Sequence, residues 1–402
     1  MKIGIIREGK VPVDKRVVLL PAACQEAKAR FPTIEIIVQT SIIRCVKDEA
    51  YRQAGFPINE SMKRCDVLLG VKEVPIKDLI PHKTYLFFSH TIKKQPYNRQ
   101  LLRAILEKNI TLIDYECLTD AQGNRIIAFG RYAGIVGAYN AFWTYGKRYD
   151  LYDLHRAIDC EDYDDLLKGL QTAYPHLPPH LKVVLTGRGR SGGGAAEMLE
   201  GMGIKKVSPE AYLSESFNQP VYTHLASSDY YQPIQSQAPS FYEAPEKYQS
   251  DFLKFAKQSD IFISAHYWNP KAARLFTKED VRLEDFRLRI IADITCDIDG
   301  SVPTTIRAST IADPVYDYNP TTEQDELAFS EEQNITVMAV DNLPCELPIG
   351  ASRSFGNQFI QEVLPHFFNG DPAQVLASAT IAKAGKLTPS FHYLQDFVDG
   401  KV

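Results

Sequence analysis

The stretch VVLTGRGRSGGGAAEML, residues 183–199, decides how the rest of the chain is read. An apolar run leads into Gly187, Gly189, Gly192 and Gly194, and AAEML then has the composition of a helix. In the spacing Gly187-x-Gly189-x-x-Gly192, glycine serves a tight turn, a close approach of backbone to a pyrophosphate, and the packing of helix on strand. The helix N-terminus adds amide groups and the positive end of its dipole. The pattern reads as a dinucleotide-binding turn built from Gly187, Arg188, Gly189, Arg190, Ser191 and Gly192; a purely structural glycine turn is the competing reading.

A carboxylate for the ribose hydroxyls is expected at the end of the next strand. Taking KKV, residues 205–207, as the end of that strand puts Ser208 in the place of the acid, with Glu210 beyond Pro209. Arg188 and Arg190 lie inside the turn, and with no carboxylate to repel it a 2′-phosphate is tolerated. NAD and NADP both stay open, and the arginines favour NADP.

Upstream, KIGII (2–6), IEIIVQ (34–39), DVLLGV (66–71), TYLFFS (84–89) and ITLIDY (110–115) are continuous apolar runs, as in strands buried on both faces of a parallel sheet. PAACQEAKARF (21–31) and NRQLLRAILEKN (98–109) between them have helical spacing. AGIVGAYNAFWTYGKRY reads as a long helix leaving this domain, and QTAYPHLPPHLK (171–182) as a proline-bearing linker. Further strands are expected in DIFISAHYW (260–268), RLRIIADIT (287–295) and ITVMAVDN (335–342), and an irregular insertion over 214–249. The tail segments GNQFIQEVLPHFFNG and AQVLASATIAKAG read as helical and are expected to pack back on the first domain. The predicted fold class is α/β: two doubly wound Rossmann-like domains with a cleft between them. Residues 1–133 and 343–402 form a discontinuous substrate domain, 134–181 a connecting helix and linker, and 182–342 the dinucleotide domain.

Bulk properties narrow the function. The net charge of −5 and the lack of a basic run argue against nucleic acid or anionic lipid as a partner. No apolar run reaches the roughly 20 residues of a membrane helix, and MKIGIIREGK is not a secretory signal. Seven scattered cysteines without a CxxC pair suggest neither a disulfide framework nor a zinc ribbon, so the chain reads as reduced and cytoplasmic. No metal site is expected, since prolines separate His176 from His180 and no other cluster has ligand spacing.

Within the first domain, GVKEVPIKDLIPHKTYLFFSHTIKKQ (70–95) puts Lys72 and His90 just past two neighbouring apolar runs. The carboxyl ends of strands are where open α/β sheets gather ligands. A desolvated lysine can act as a base near neutrality, and histidine titrates there unaided. A surface lysine and a hydrogen-bonded loop histidine satisfy the same spacing. Arg16 follows the first strand and Arg125 the fifth, and guanidinium forks suit carboxylate substrates. Glu116 and Asp341 sit at further strand ends, each by itself an ordinary surface charge.

Through REGKVPVDKRVVLLP, the 70–95 stretch, AILEKNITLIDYECLTDAQGNRIIAFGRYAG, the glycine turn, HYWNPKAARLFTKED, IIADITCDIDGS and VDNLPCELPIGASRSFG, the chain resembles the lysine-forming saccharopine dehydrogenases. It is similar, more closely, to the lysine–2-oxoglutarate reductase modules of aminoadipic semialdehyde synthases, and more distantly to alanine dehydrogenase and the transhydrogenase subunit. FFSHTIK with DNLPCELP is the specific part. The resemblance implies interconversion of saccharopine with lysine and 2-oxoglutarate using a nicotinamide cofactor. It implies Lys72 as the base at the secondary amine and His90 as acid–base in imine hydrolysis. Arg16 and Arg125 then meet substrate carboxylates, and Glu116, Lys93, Asp341 and Asp14 complete a charged network. Ser191 stands where some relatives carry cysteine. A monomer or homodimer is implied, and a chain ending at Val402 is expected to exchange saccharopine with a separate enzyme. An alanine-dehydrogenase-like or other opine-forming activity, and a catalytically silent nucleotide-binding homologue, are the alternatives.

Overall fold

A computed structural model describes residues 1–401. The chain divides into two compact units, Met1–Phe129 with Pro348–Val402, and Gly130–Leu347. Each is built on its own eight-stranded sheet.

In the first unit β1 (Lys2–Ile5), β2 (Glu35–Gln39), β3 (Ile58–Asn59), β4 (Val67–Leu69), β5 (Thr84–Phe87) and β6 (Thr111–Asp114) are all parallel. Their spatial order is β6-β5-β4-β1-β2-β3. Their apolar runs are nearly continuous because helices and loops cover both faces, and Ile3, Leu69, Leu86 and Ile113 lie in the core. The chain leaves β1 toward β2 on one side and returns through β4 on the other. The carboxyl ends of β1 and β4 are therefore the switch point of the sheet, where a doubly wound fold opens a crevice.

The tail differs from the sequence expectation. Within 373–385 only Val375–Ala379 is helical; Thr380–Lys383 is a strand that pairs antiparallel with β6, followed by Lys386–Leu387. Thr380, Ile381 and Ala382 are buried, so sheet burial outweighs a helix-favouring composition.

The second unit comprises β7 (Lys182–Thr186), β8 (Lys205–Lys206), β9 (Val221–Leu225), a separate ribbon of β10 (Tyr231–Pro233) and β11 (Tyr248–Ser250), then β12 (Ile261–Ser264), β13 (Ile290–Asp293), β14 (Val315–Tyr318), β15 (Asp325–Glu326) and β16 (Ile335–Met338). The main sheet runs β15-β14-β16-β13-β12-β7-β9-β8, parallel apart from β14 and β15. Its switch point lies between β7 and β12.

Two expectations change here. The stretch 134–181, read as a connector, is part of this unit. Helix Gly130–Tyr149 packs along helix Arg190–Met202, so closely that a Cβ on Gly134 would stand 1.8 Å from the Ser191 carbonyl oxygen. The supposed insertion at 214–249 contains β9, which lies directly beside β7, whereas β8 is a two-residue edge strand. Val221, Tyr222 and Leu225 are fully buried, as a central strand requires. The polar residues around VYTHL hid it from a search for long apolar runs.

Candidate active site

Beyond Ile6 the main chain of β1 turns away from β4. The last rung between them is Ile6 N–H to the Leu69 carbonyl at 3.0 Å. The loop that follows carries Glu8, Lys10, Asp14 and Arg16. On the other side of the switch point, Lys72 and Glu73 follow β4, and His90 follows β5.

Glu73 is the hub. One carboxylate oxygen accepts from His90 Nδ1 at 2.6 Å, and Lys10 Nζ reaches both oxygens at 3.0 and 2.9 Å. Burial alone would raise the Glu73 carboxyl; the hydrogen bonds from His90 and Lys10 overcome it and hold the group down to about 2. An ionised Glu73 accepts, so His90 Nδ1 carries the proton and Nε2 remains as the ring's exchanging atom. Glu73 and Lys10 were not singled out in the sequence, although both stand in the quoted motifs. Neither type draws notice until the fold brings Lys10 across from the other side of the switch point.

Lys72 is half-buried, and desolvation lowers its pKa from the usual value, with Arg16 and Lys10 adding cationic repulsion. That is the condition under which an amine becomes a base near neutrality. Arg16 is only 4% exposed. Its Nε and Nη2 grip Asp14 at 3.0 and 2.6 Å, and its guanidinium lies 4.2 Å from the centre of the Phe129 ring. The tail braces this arrangement: Phe355 stacks on Phe129, and Ser352 Oγ accepts from the Val17 amide at 2.9 Å.

A third group lies at the end of β6. Glu116 Oε1 accepts from Arg125 Nη2 at 2.8 Å, with Lys93 Nζ 3.8 Å away. The other oxygen, Oε2, is buried with no protein hydrogen-bond partner. Asp341 is exposed just past β16 in the second unit.

His90 is held in an uncommon backbone conformation, φ 53° and ψ 12°, which costs a non-glycine residue about 1–2 kcal/mol. Asp114, fully buried at the end of β6, compensates. Its Oδ2 accepts from the Ser89 amide at 3.0 Å and from the Ser89 hydroxyl, and Oδ1 accepts from the Glu116 amide at 2.7 Å. One side chain thus fixes both the His90 and the Glu116 loops. Asp114→Ala should lose about 3 kcal/mol of stability and misplace His90, whereas Asp114→Asn, which keeps one acceptor oxygen but turns an N–H₂ group toward the other donors, should recover only part of the stability. Denaturant melts and steady-state rates of the two variants check this.

In the second unit the glycine turn follows β7 as expected. Gly187 has φ +88°, and a Cβ there would meet the Ala265 carbonyl oxygen at 2.4 Å, so the tight turn at the β7–β12 switch point excludes any side chain. Gly189 is different: a Cβ would meet no protein atom within 4 Å. The fold itself does not demand glycine there. The open space lies at the N-terminus of helix Arg190–Met202, where a phosphate would meet backbone amides, so the residues fit a dinucleotide.

Ser208 does not follow the strand that pairs with β7. It caps helix Pro209–Ser214 by accepting from the Ala211 amide at 3.2 Å, and it follows the edge strand β8. The strand beside β7 is β9, and four residues beyond its end stands Asp229, whose Oδ2 accepts from the Ala226 amide at 2.7 Å and lies 3.7 Å from Arg188 Nη2. A carboxylate thus stands beyond the strand beside β7, one strand further along the chain than Ser208. Arg188 faces that carboxylate and donates to the His224 carbonyl at 3.2 Å, so the argument for NADP loses its basis.

Among the described residues no group of His, Cys, Asp and Glu could hold a metal ion, and no helix is long and apolar enough to cross a membrane.

A doubly wound unit with a lysine–histidine–carboxylate centre, joined to a dinucleotide-type unit, defines a class, and comparisons place it. Residues 4–136 match the alanine dehydrogenase/PNT N-terminal domain. An L-alanine dehydrogenase structure superposes with a TM-score of 0.65, at 18% identity, over 99% of both chains, which establishes the shared fold. Alpha-aminoadipic semialdehyde synthase of Mus musculus is 29% identical over 90% of this chain and 44% of its own length. The saccharopine dehydrogenase [NAD(+), L-lysine-forming] of Candida glabrata is 26% identical over 87% of each chain. The chain is a homologue of the saccharopine dehydrogenases and aminoadipic semialdehyde synthases, and the match of its first part to the alanine dehydrogenase/PNT N-terminal domain fits that relationship. It spans less than half the length of the semialdehyde synthases it matches.

Proposed function

We propose that this chain is an oxidoreductase that interconverts saccharopine and water with lysine and 2-oxoglutarate, coupled to a nicotinamide cofactor. The observation that carries the reading is the pairing of a desolvated Lys72 with a His90 whose Nδ1 is tied to Glu73. Both follow adjacent strands of the first sheet.

In the oxidative direction Lys72 Nζ takes the proton of the secondary amine, freeing its lone pair. A nicotinamide cofactor would supply the hydride acceptor for the adjacent carbon, whose bond to nitrogen then becomes the protonated imine that water attacks. His90 Nε2 takes a proton from water as its oxygen adds to the imine carbon. It gives that proton to the nitrogen, and as the C–N bond breaks it takes the proton of the carbinolamine hydroxyl, whose oxygen becomes the carbonyl of 2-oxoglutarate. Lysine and 2-oxoglutarate result, and the reverse sequence condenses them. Glu73 keeps His90 in one tautomer through both transfers. Arg125 and Lys93 offer cationic groups to the substrate carboxylates, and Glu116 Oε2 offers an acceptor to a substrate N–H. Arg16, locked to Asp14, acts through its charge on Lys72.

Mass spectrometry after incubation with lysine, 2-oxoglutarate and reduced nicotinamide should find saccharopine. Glutamate formed from 2-oxoglutarate and ammonia instead would point to a simple amino-acid dehydrogenase, the reading that the shared alanine dehydrogenase fold keeps in view.

The cofactor we assign is NAD. Asp229 can accept from the ribose hydroxyls and repel a 2′-phosphate, and the fungal relative is named for NAD(+). Asp229→Ser should reduce the preference for NADH over NADPH by about tenfold, roughly 1.4 kcal/mol. Faster turnover with NADPH by the unaltered protein would overturn the assignment.

A further inference from the structure

Glu8 is absent from the steps above, yet it is the carboxylate most closely tied to the backbone of the lysine that performs them. It is buried, and its two oxygens are committed separately: Oε1 accepts from the Val71 amide at 2.7 Å and Oε2 from the Lys72 amide at 2.8 Å. These two amides lie just past the last rung of the β1–β4 ladder, where β1 has turned away and offers no carbonyl. On the opposite edge, the Gly70 amide still bonds the Leu86 carbonyl and the Phe88 amide bonds the Val71 carbonyl. The segment 70–72 is therefore pinned by β5 on one side and by Glu8 alone on the other.

We infer that Glu8 is a positioning residue for the catalytic centre: by clamping the Val71 and Lys72 amides across the switch point, it fixes the main chain from which the Lys72 side chain reaches the substrate. The inference rests on the role of Lys72 proposed above. A neutral hydrogen-bonding residue would not serve as well, because both partners are donors and an ionised carboxylate presents only acceptors.

The clamp also has a pH dependence. Burial raises the Glu8 carboxyl to about 7, with Asp14 adding repulsion; the two amide bonds and Arg16 oppose the rise. Tyr115, whose buried hydroxyl has no protein partner, lies close enough for the charges of Glu8 and Asp114 to push its own pKa further up. Below about 7 Glu8 gains a proton, one oxygen becomes a donor, and the hold on the two amides weakens. The sign for stability is the opposite. A carboxyl whose folded pKa is raised contributes stability that is complete below its unfolded value and lost as the pH rises through about 7. The protein thus keeps a strained, ionised carboxylate at the pH where Lys72 must be in place.

Glu8→Gln keeps the shape and the fold but turns an N–H₂ group toward one of the two amides. Hydrogen–deuterium exchange of peptides spanning 67–75, corrected for intrinsic rates at pH 8, should show the Val71 and Lys72 amides exchanging at least tenfold faster, and kcat should fall at least tenfold. NADH affinity should be unchanged. The loss of rate between pH 8 and pH 6 that belongs to this group should vanish in Glu8→Gln and persist in Glu8→Asp, which retains the carboxylate. The melting temperature of Glu8→Gln relative to the unaltered protein should improve from pH 5 to pH 8. Unchanged exchange at the two amides, or a kcat and pH profile like those of the unaltered protein, overturns the inference. The exchange readout needs no turnover, so a failure of the saccharopine reading would show separately, as an unaltered protein inactive with lysine and 2-oxoglutarate.

Discussion

Lys72→Met lowers kcat/KM for saccharopine oxidation by about 10²- to 10⁴-fold, the range associated with loss of a positioned general base, without weakening NAD binding. Methionine fills a similar volume and cannot take a proton, so the site keeps its packing while the amine of the substrate keeps its own proton. The size of the effect follows from how much of the environment is arranged around this one amine. Desolvation leads, with Arg16 and Lys10 assisting, while Asp14 and Glu73 limit the fall. A lysine so placed gains basic character at the pH where a solvent-exposed lysine stays charged. In the unaltered protein the oxidative rate should therefore rise as Lys72 loses its proton, and Lys72→Met should lack that limb of the pH profile. Added ethylamine restores part of the lost rate if the defect is purely chemical. A variant that retains most of its activity, or whose pH profile is unchanged, removes Lys72 from the reaction.

Gly189→Val separates cofactor binding from folding. Gly189 is the N-cap of helix Arg190–Met202 with φ −79° and ψ −168°, which valine can adopt, and a Cβ there meets no protein atom within 4 Å. The folding cost is then only that of a poorer cap, about 1 kcal/mol. The branched side chain occupies the space that a phosphate needs against the backbone, so NADH binding should weaken on the order of 100-fold, about 2.7 kcal/mol. Gly187→Ala is the contrasting variant, because its positive φ and the 2.4 Å approach to the Ala265 carbonyl make it a folding defect first. Calorimetric melts and NADH titrations on the same two samples give opposite rankings if the turn works in this way. Tight NADH binding by Gly189→Val would show that the dinucleotide lies elsewhere.

Much of this was legible in the sequence wherever one segment carried its own signal. Continuous apolar runs gave β1, β2, β4, β5 and β6, since a strand buried on both faces cannot hide its composition. Lys72 and His90 drew notice because each directly follows such a run. The central strand β9 was lost because VYTHL is short and flanked by serines, asparagine and prolines; its burial depends on neighbours distant in the chain. The choice of Ser208 came from the same point, since it follows the edge strand β8, whereas Asp229 follows β9, the strand that pairs with β7. Glu8, Lys10 and Glu73 lie in motifs that were in view, but their meaning is a matter of geometry. Only the return of β4 beside β1 sets Glu8 against the amides of Val71 and Lys72, and Lys10 against Glu73. Arg16 was expected to meet a substrate carboxylate, and the fold adds that its Nε and Nη2 also hold Asp14, two residues away. Residue type suggested a guanidinium–carboxylate contact, while only the fold could show the one with Asp14.

The central claim is that this centre joins lysine to 2-oxoglutarate reductively, and the most direct test is the absorbance of NADH in the purified protein. Lysine and 2-oxoglutarate should be supplied together, each alone, and replaced by pyruvate with ammonia. The account predicts NADH oxidation only when lysine and 2-oxoglutarate are both present. Oxidation that is as fast with pyruvate and ammonia, or none in any mixture, contradicts it.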